Sequence, residues 1–242
     1  MKILAKVTYK GTNYQGWQKQ TNAPSVQETI ESALSKILNT PTTIQGSGRT
    51  DTGVHAKGQT FHFEVNKEIY LSRLRYSLNC VLPEDIHIVE LKEVDGVFHA
   101  RHSAKGKHYS YSIKIGESDP FVNDMVFVHH EEIDIELFKE ALQLFVGTHN
   151  YQDFTSKEED EKLFVREIKS IEVSQKDSII KVDLIGNGFM RYMIRFIIGA
   201  SLAVAEHRED IGFIKKHLDS ETRNIINYKA PSTGLVLEEV IY

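Results

Sequence analysis

The alternation of apolar and polar residues along the first 100 positions predicts strands and helices in a definite order. Ile3–Tyr9 alternates as a strand does, and Pro24–Leu38 carries one apolar stripe at helical spacing. Ser25 and Glu28 form a capping box at the start of that helix. The elements predicted after it are strands Thr42–Gln45 and Gln59–Val65, helix Ile69–Asn79 and strand Ile86–Val94. The order is therefore β-α-β-β-α-β.

The same order returns after a basic connector, Val97–Ala104. The predicted elements are strand His108–Ile115, helix Ile133–Val146, strands Glu167–Ser174 and Ile179–Ile185, helices Phe189–His207 and Ile211–Leu218, and strand Leu235–Tyr242. No repeat of individual residues relates the halves, so the duplication is inferred from element order alone. It predicts an α+β fold of two tandem ferredoxin-like modules, residues 1–103 and 104–242. Each would have helices on one face of a mixed, mainly antiparallel sheet, leaving the other face as a cleft for RNA.

Composition places the chain among ordinary globular proteins. It has 242 residues, of which 40% are hydrophobic and 26% charged. A single cysteine, Cys80, excludes an internal disulfide framework and is typical of a reducing cytosol, so we expect a cytoplasmic protein. Met1–Val7 does not resemble a signal peptide. The longest apolar run, Phe196–Ala205, is too short to span a bilayer, and no membrane association is expected.

The net charge of −5 argues mildly against a nucleic-acid partner, but the charges are unevenly distributed. No acid occurs between Gly96 and Gly116, a stretch that contains Arg101, Lys105, Lys107 and Lys114. No acid occurs from Leu184 to Ala205 either, where Arg191 and Arg195 are present. The chain can therefore present basic surfaces despite its negative net charge.

A glycine-rich loop, residues 46–56, joins two of the predicted strands. Its glycines allow sharp turns or a close approach to a ligand, and Arg49 and Asp51 are neighbours on one side of an extended chain. Such a loop between rigid elements is typical of a functional site. The structural alternative is a β-turn with a capping aspartate.

Three familiar chemistries fit this loop poorly. The Gly-x4-Gly-Lys-Ser/Thr spacing of a phosphate loop is absent. Asp51-Thr52-Gly53 is the tripeptide of aspartic proteases, but those enzymes share a proton between two aspartates, whereas Arg49 would favour full ionisation here. The chain has eleven histidines, yet no His-Glu-x-x-His or Cys-x-x-Cys spacing, so no metal site is predicted.

The segment Gly48–His55, GRTDTGVH, strongly resembles the active-site loop of the tRNA pseudouridine synthase A family. Further matches, in the same order as in the family, are Tyr14–Gln18, Ser25–Gln27, Leu78-Asn79 with Leu82-Pro83, Phe98–Arg101, Lys107-x-Tyr109-x-Tyr111, Asp153–Thr155 and Gly188–Arg195. They span nearly the whole chain. Tyr192 is a departure, because many relatives have histidine there. Ser232–Leu235 keeps only the family's final Gly-Leu.

The resemblance implies an enzyme that isomerises uridine to pseudouridine at positions 38 to 40 of the tRNA anticodon stem-loop. Reactant and product have the same atoms and oxidation level, so no nucleotide cofactor is needed. The resemblance also implies a homodimer. The competing class is a non-catalytic RNA-binding protein on the same scaffold, but the strands lack the aromatic motifs of RRM modules.

The resemblance assigns Asp51 as the catalytic carboxylate, acting on the sugar covalently or as a base. Burial under RNA would tend to protonate it, and the family pattern provides Arg195 as the cation that offsets this. Arg191 and Arg195 are the only charges between Asp183 and Glu206, and an arginine buried in such a helix requires an anion.

The remaining roles concern the substrate. Tyr109 matches the tyrosine that lies against the target uracil, where stacking contributes about 1–3 kcal/mol. Arg49 matches a residue that holds the flipped nucleotide as a wedge or a phosphate contact. Three basic residues are expected to contact RNA phosphates, namely Arg101, Lys105 and Lys107.

Overall fold

The computed structural model describes residues 1–156 and 164–242 and divides into two compact units. Unit 1 comprises Met1–Lys105 and Val236–Tyr242, and unit 2 comprises Gly106–Leu235. The closing strand thus returns to unit 1, whereas the division inferred from element order left it in the second module.

Unit 1 follows the predicted β-α-β-β-α-β order. Its elements are β1 (Lys2–Tyr9), α1 (Val26–Leu38), β2 (Gln45–Gly46), β3 (His55–Glu64), α2 (Leu71–Val81) and β4 (Ile86–Val94). The predicted cap of α1 is confirmed, since the Ser25 side chain accepts a hydrogen bond from the Glu28 amide at 3.3 Å.

Unit 2 contains more elements than the sequence pattern predicts. They are β5 (Gly106–Ile115), β6 (Phe127–His129), α3 (Ile135–Gln143), β7 (Gly147–Asn150), a 3₁₀ turn (Gln152–Phe154), β8 (Val165–Lys176), β9 (Ile179–Gly186), α4 (Met193–Ala205) and α5 (Ile211–Leu218). The last strand, β10 (Leu235–Ile241), crosses the boundary between the units. Strands β6 and β7 are too short to give a periodic signal.

In unit 1 the strands lie in the order β4-β1-β3-β10, and β2 also pairs with β3. The β1–β3, β1–β4 and β2–β3 pairs are antiparallel. The β10–β3 pair is parallel, with Val236 opposite His55 and Leu237 opposite Ala56.

The two faces of the unit 1 sheet differ in polarity. The buried face carries Ile3, Ala5 and Val7 of β1, which are fully buried, with Phe61 and Phe63 of β3 beside them. The apolar sides of α1 and α2 supply the matching buried residues. The opposite face is largely polar and carries Lys2, Lys6, Thr60, His62, Glu90 and Lys92.

In unit 2 the strands lie in the order β5-β9-β8-β7, all paired antiparallel, and β6 pairs with β5 in parallel. Tyr109 and Tyr111 of β5 lie opposite Leu184 and Val182 of β9, and all four are buried. The apolar helix α4 contributes a largely buried surface to the same unit. The predicted mixed α+β class with mainly antiparallel sheets is confirmed.

Three predicted boundaries are wrong. The strand predicted at Thr42–Gln45 is only two residues long, because the chain turns away once the Ser47 amide has bonded to the Thr60 carbonyl. The next strand begins at His55 rather than Gln59. Helix α4 begins at Met193 rather than Phe189, because Tyr192 has left-handed backbone angles, φ 62° and ψ 2°.

Across residues 1–156 and 164–242, no helix is both long and apolar enough to cross a membrane. Within the same ranges, no group of three or more histidine, cysteine, aspartate or glutamate side chains is arranged to hold a metal ion.

Candidate active site

The glycine-rich loop of unit 1 is held in a tight turn around Asp51. The Val54 amide donates to the Asp51 carbonyl at 3.1 Å, and Gly53 between them has a φ of 77°. An L-residue with a side chain rarely adopts that angle, so glycine is the residue suited to this position. The turn leaves the Asp51 side chain half-buried and places Arg49 at the surface.

The segment Tyr14–Trp17 clamps this loop through its backbone. The Trp17 amide donates to the Thr50 carbonyl at 3.1 Å, and the Gly53 amide donates to the Tyr14 carbonyl at 3.3 Å. Gly16 approaches so closely that a Cβ there would lie 2.6 Å from the Thr50 carbonyl oxygen. The two segments therefore fit together only because position 16 has no side chain.

A buried hydrogen bond fixes the residue before Asp51. The Tyr9 hydroxyl lies 2.8 Å from Oγ1 of Thr50. Burial raises the pKa of Tyr9 well above its ordinary value, so the hydroxyl keeps its proton. Trp17 packs beside Tyr9, with ring centroids 6.0 Å apart, and closes the apolar floor under the loop.

The entrance to the loop is fixed from β3 by Gln59, which is fully buried. Its side-chain amide donates to the Gly48 carbonyl at 3.1 Å, and its Oε1 lies 2.7 Å from the Ser47 hydroxyl. The Gly48 end of the GRTDTG segment is therefore bonded to the sheet and its Gly53 end to Tyr14, which pre-organises the backbone that bears Asp51.

In unit 2, Tyr109 and Tyr111 occupy the buried face of β5. Tyr111 is fully buried and its hydroxyl donates to the Pro231 carbonyl at 2.8 Å. Tyr109 is 6% exposed, and Phe189 meets its ring edge-on with centroids 5.3 Å apart. Tyr109 therefore has little free ring surface.

Arg195 lies in the first turn of α4. It is half-buried, rather than buried as its apolar sequence surroundings predict. Its Nε donates to the Ala230 carbonyl at 2.7 Å, and the Ala230 amide donates back to the Arg195 carbonyl at 2.9 Å. Segment 228–230 reaches α4 at Gly199, where a Cβ would lie 2.6 Å from the Tyr228 carbonyl oxygen.

The residues predicted from the sequence are divided between the units. Asp51, Arg49, Arg101 and Lys105 belong to unit 1, whereas Lys107, Tyr109 and Arg195 belong to unit 2. Arg101 and Lys105 are exposed, as phosphate-binding side chains must be, and Lys107 is half-buried.

Sequence reasoning missed the residues that support the loop. Tyr9 and Thr50 are 41 positions apart, and no local pattern connects them. The sequence gives no sign of the role of Gln59 either, because the residue resembles any polar residue at the start of a predicted strand. Of the segments that support the loop, the sequence indicates only Tyr14–Gln18, and it does so through the family resemblance.

Comparison with protein families identifies one model that matches both halves of the chain. The model described as tRNA pseudouridine synthase matches residues 5–103 and 141–242. These segments contain Asp51 and the loop clamped around it, and also α4 with Arg195.

Curated relatives are similar over nearly their full length. The chain is 38% identical to tRNA pseudouridine synthase A of Clostridium kluyveri, covering 99% of each chain. It is 38% identical to the protein of that name from Acetivibrio thermocellus, covering 98% of this chain and 97% of the relative. It is 36% identical to tRNA pseudouridine synthase A 2 of Clostridium perfringens, covering 99% of each chain.

One solved structure, titled as a Cbf5-Nop10-Gar1 complex, matches at 14% identity with a TM-score of 0.36. The match covers 83% of this chain and 54% of the other.

Proposed function

Because the chain belongs to the tRNA pseudouridine synthase family, we propose that it isomerises uridines 38 to 40 in the tRNA anticodon stem-loop, with Asp51 as the catalytic residue. Family membership makes the protein an isomerase that converts uridine in tRNA to pseudouridine. The observation that supports Asp51 is its loop, which is tied down on both sides although it carries a half-buried carboxylate.

The reaction breaks the N-glycosidic bond, turns the uracil and joins its C5 to the sugar. An ionised carboxylate serves this chemistry either by attacking the sugar or by abstracting a proton. Asp51 supplies that group in both routes. The fixed loop backbone holds the carboxylate in position, so its orientation need not be established anew when the substrate binds.

Arg195 is the proposed charge partner of Asp51. RNA covering the site would exclude water and favour the protonated acid, whereas a guanidinium nearby favours the carboxylate. Among the described residues of its own unit, no acidic side chain lies within 4.0 Å of Arg195. Its Nε is occupied by the Ala230 carbonyl, so its terminal amino groups are the ones proposed to face the carboxylate.

Substrate binding is proposed to use the other predicted residues. The target uridine leaves its stack, at a cost of a few kcal/mol, and Arg49 holds the vacated position or its phosphate. Tyr109 then stacks on the uracil once Phe189 has moved. We expect Tyr109→Leu to lower kcat/KM by roughly 5- to 150-fold, the equivalent of 1–3 kcal/mol of stacking. A kcat/KM equal to that of the wild type would exclude this role.

Arg101, Lys105 and Lys107 are proposed to contact phosphates of the stem-loop, which gives affinity that depends on salt and not on sequence. A homodimer is proposed from the family resemblance. Light scattering at micromolar concentration tests it, and a single monomeric species would contradict it.

The decisive experiment measures tritium release from tRNA transcripts carrying 5-tritiated uridine, because joining C5 to the sugar displaces the C5 hydrogen. The wild type is expected to release tritium, and Asp51→Asn is expected to bind tRNA normally while releasing none. Asp95→Asn makes the same chemical change at an exposed position of unit 1 and should remain active. Release by Asp51→Asn at the wild-type rate would eliminate Asp51 as the catalyst.

A non-catalytic RNA-binding protein is the alternative that this assay excludes. Such a protein would bind the same transcripts but release no tritium in its wild-type form. Mapping the modified positions in the product then tests the anticodon stem-loop assignment, which fails if pseudouridine forms only elsewhere in the tRNA.

A further inference from the structure

Three cationic side chains of unit 2 converge on a single aromatic ring. Cζ of Arg191 lies 4.8 Å from the centroid of the Tyr192 ring, Cζ of Arg195 lies 5.0 Å from it, and Nζ of Lys229 lies 4.7 Å from it. Any two of these charges are therefore no more than about 10 Å apart, which is within a Debye length at ordinary ionic strength. They repel one another with little screening from salt.

The ion pairs among the described residues of unit 2 do not include this cluster. Within the described part of unit 2, no aspartate or glutamate oxygen lies within 4.0 Å of Arg191, Arg195 or Lys229. Two acids of the described part of unit 2 have other partners, since Asp153 is bonded to His217 at 2.6 Å and Glu209 to the Tyr228 hydroxyl at 2.7 Å. The face of the Tyr192 ring offsets part of the repulsion, because its quadrupole attracts cations.

The backbone holds the cluster in place. Tyr192 has left-handed backbone angles, which for a residue with a Cβ cost of order 1–3 kcal/mol and persist only where the surroundings impose them. The Arg191 carbonyl accepts a hydrogen bond from the Thr155 hydroxyl at 3.0 Å. Lys229 lies between Tyr228 and Ala230, both of which are anchored by hydrogen bonds.

The exposed members of the cluster leave room for a ligand. Arg191 and Lys229 are exposed, whereas Arg195 and Tyr192 are half-buried. Two accessible cations beside a fixed ring, with no acidic partner within 4.0 Å among residues 106–156 and 164–235, suit a compact anion with several acceptor oxygens. A phosphate group has this chemistry, and arginine binds it in a bidentate manner.

We infer that Arg191, Tyr192 and Lys229 form a binding site for a backbone phosphodiester of the tRNA, next to Arg195. This inference rests on the proposed function, because it takes the substrate to be tRNA. It assigns a role to Tyr192, the position at which the chain departs from many relatives. The ring keeps the two exposed cations together, and the phosphate neutralises their charge when the RNA binds.

The test is the salt dependence of tRNA affinity, measured with an unmodified transcript between 50 and 200 mM monovalent salt. Arg191→Gln and Lys229→Gln should each weaken binding at low salt and reduce the slope of log affinity against log salt by about 1. At saturating tRNA, kcat should remain within about twofold of the wild type, while KM rises.

Lys176→Gln is the matched control, because it removes one exposed positive charge from the same unit. Lys176 lies at the start of the β8–β9 turn, and the eight-residue strand β9 separates that turn from the segment leading to Arg191, a length of roughly 26 Å. For Lys176→Gln, the slope of log affinity against log salt should equal that of the wild type. Slopes for Arg191→Gln and Lys229→Gln that equal the control slope would overturn the inference.

The ring is tested separately with two substitutions. Tyr192→Phe keeps the aromatic face and loses only the hydroxyl that accepts a bond from Nη2 of Arg191 at 3.0 Å, so it should lose less affinity for tRNA than Tyr192→Leu, which should lose as much as Lys229→Gln. Thermal unfolding shows whether Tyr192→Leu remains folded. Should it unfold, the exposed Arg191 and Lys229 variants still decide the question. Equal affinities for folded Phe and Leu variants would exclude a role for the ring.

The outcomes for this site and for the proposed function are distinguishable. A wild-type protein that releases no tritium overturns the proposed function, whatever the salt slopes are. A wild-type protein that releases tritium while the cluster variants keep its salt slope overturns only the phosphate site. Stabilisation of the protein by inorganic phosphate, with unchanged tRNA slopes, would mean that the cluster binds a free anion and would also contradict the inference.

Discussion

The hydroxyls of Tyr9 and Thr50 share a hydrogen bond of 2.8 Å inside the core of unit 1. Thr50 is the residue directly before Asp51. Both residues are buried, so the Thr50 hydroxyl depends on Tyr9 for a hydrogen-bond partner, while the Tyr9 hydroxyl also bonds to the side chain of Gln59. The bond joins the last residue of β1 to the loop and so makes the position of Asp51 depend on the sheet.

We expect Tyr9→Phe to reduce both stability and turnover. It leaves the buried Thr50 hydroxyl without its partner, at a cost of about 1–3 kcal/mol in the free energy of unfolding. It also frees the loop backbone, so kcat should fall by about tenfold while KM changes less. Urea denaturation and tritium release measure the two effects.

Tyr242→Phe is the matched control for this substitution. Its hydroxyl also meets a threonine of unit 1, lying 2.7 Å from Oγ1 of Thr60, and donates to the Ala100 carbonyl at 2.8 Å. It should cost comparable stability without lowering kcat, because Thr60 lies outside the loop. If both variants lowered kcat equally, Tyr9 would have no positioning role.

A second prediction concerns the close approach at Gly16. With a φ of 92° and a Cβ that would lie 2.6 Å from the Thr50 carbonyl, Gly16→Ala must shift the loop or strain the backbone. We expect a loss of at least about 2 kcal/mol in the free energy of unfolding, together with a lower kcat. Chemical denaturation and the tritium assay measure both quantities.

Gly96→Ala makes the same change where a Cβ would meet nothing within 4 Å, and it should leave stability and activity close to those of the wild type. Wild-type stability for Gly16→Ala would show that the clamp is looser than these contacts indicate.

A third prediction concerns pH and the buried His62. Its pKa is lowered from the ordinary value of 6.5, first by burial and then by the positive charge of His99 and Lys2, with Glu64 acting in the opposite sense. Its Nδ1 accepts the Ala100 amide at 3.2 Å, and protonation would abolish that bond.

The unfolded chain therefore takes up this proton more readily than the folded protein does as the pH falls below 6.5. The neutral imidazole of His62 therefore contributes to the free energy of unfolding above pH 6.5. That contribution is lost as the pH falls through the lower pKa that His62 has in the folded protein. We expect the free energy of unfolding to decrease from pH 7 to pH 5, and His62→Asn to make that decrease shallower. Urea titrations at the two pH values test this, with exposed His87→Asn as the control, and equal pH dependence in wild type and His62→Asn would contradict it.

Regular elements of this fold were predictable because their periodicities are local. The stripe of α1 and its Ser25 cap, and the alternation in β1 and β9, appear in the sequence and are found in the structure. The start of α4 was not predictable in this way. The apolar run suggests a helix from Phe189, but the left-handed Tyr192 delays it to Met193, and that conformation depends on contacts distant in sequence.

In the candidate site, too, local features were predictable from the sequence and contacts between distant segments were not. Asp51 and its glycines could be recognised from a single short segment, because turn-forming residues and a lone carboxylate are visible locally. The Tyr9–Thr50 bond and the cations around Tyr192 arise only when distant segments meet. No residue pattern shows in advance that Phe189 covers Tyr109 or that Lys229 reaches the ring next to Arg191.

The return of Val236–Tyr242 to unit 1 has a consequence for biosynthesis. The strand beside His55 and Ala56, directly after the loop that bears Asp51, is translated after residues 106–235. A ribosome that has made residues 1–105 has synthesised almost all of unit 1, yet one edge of β3 still lacks its neighbour. The unit that carries the proposed catalytic carboxylate is therefore completed only after the whole of unit 2 has been synthesised.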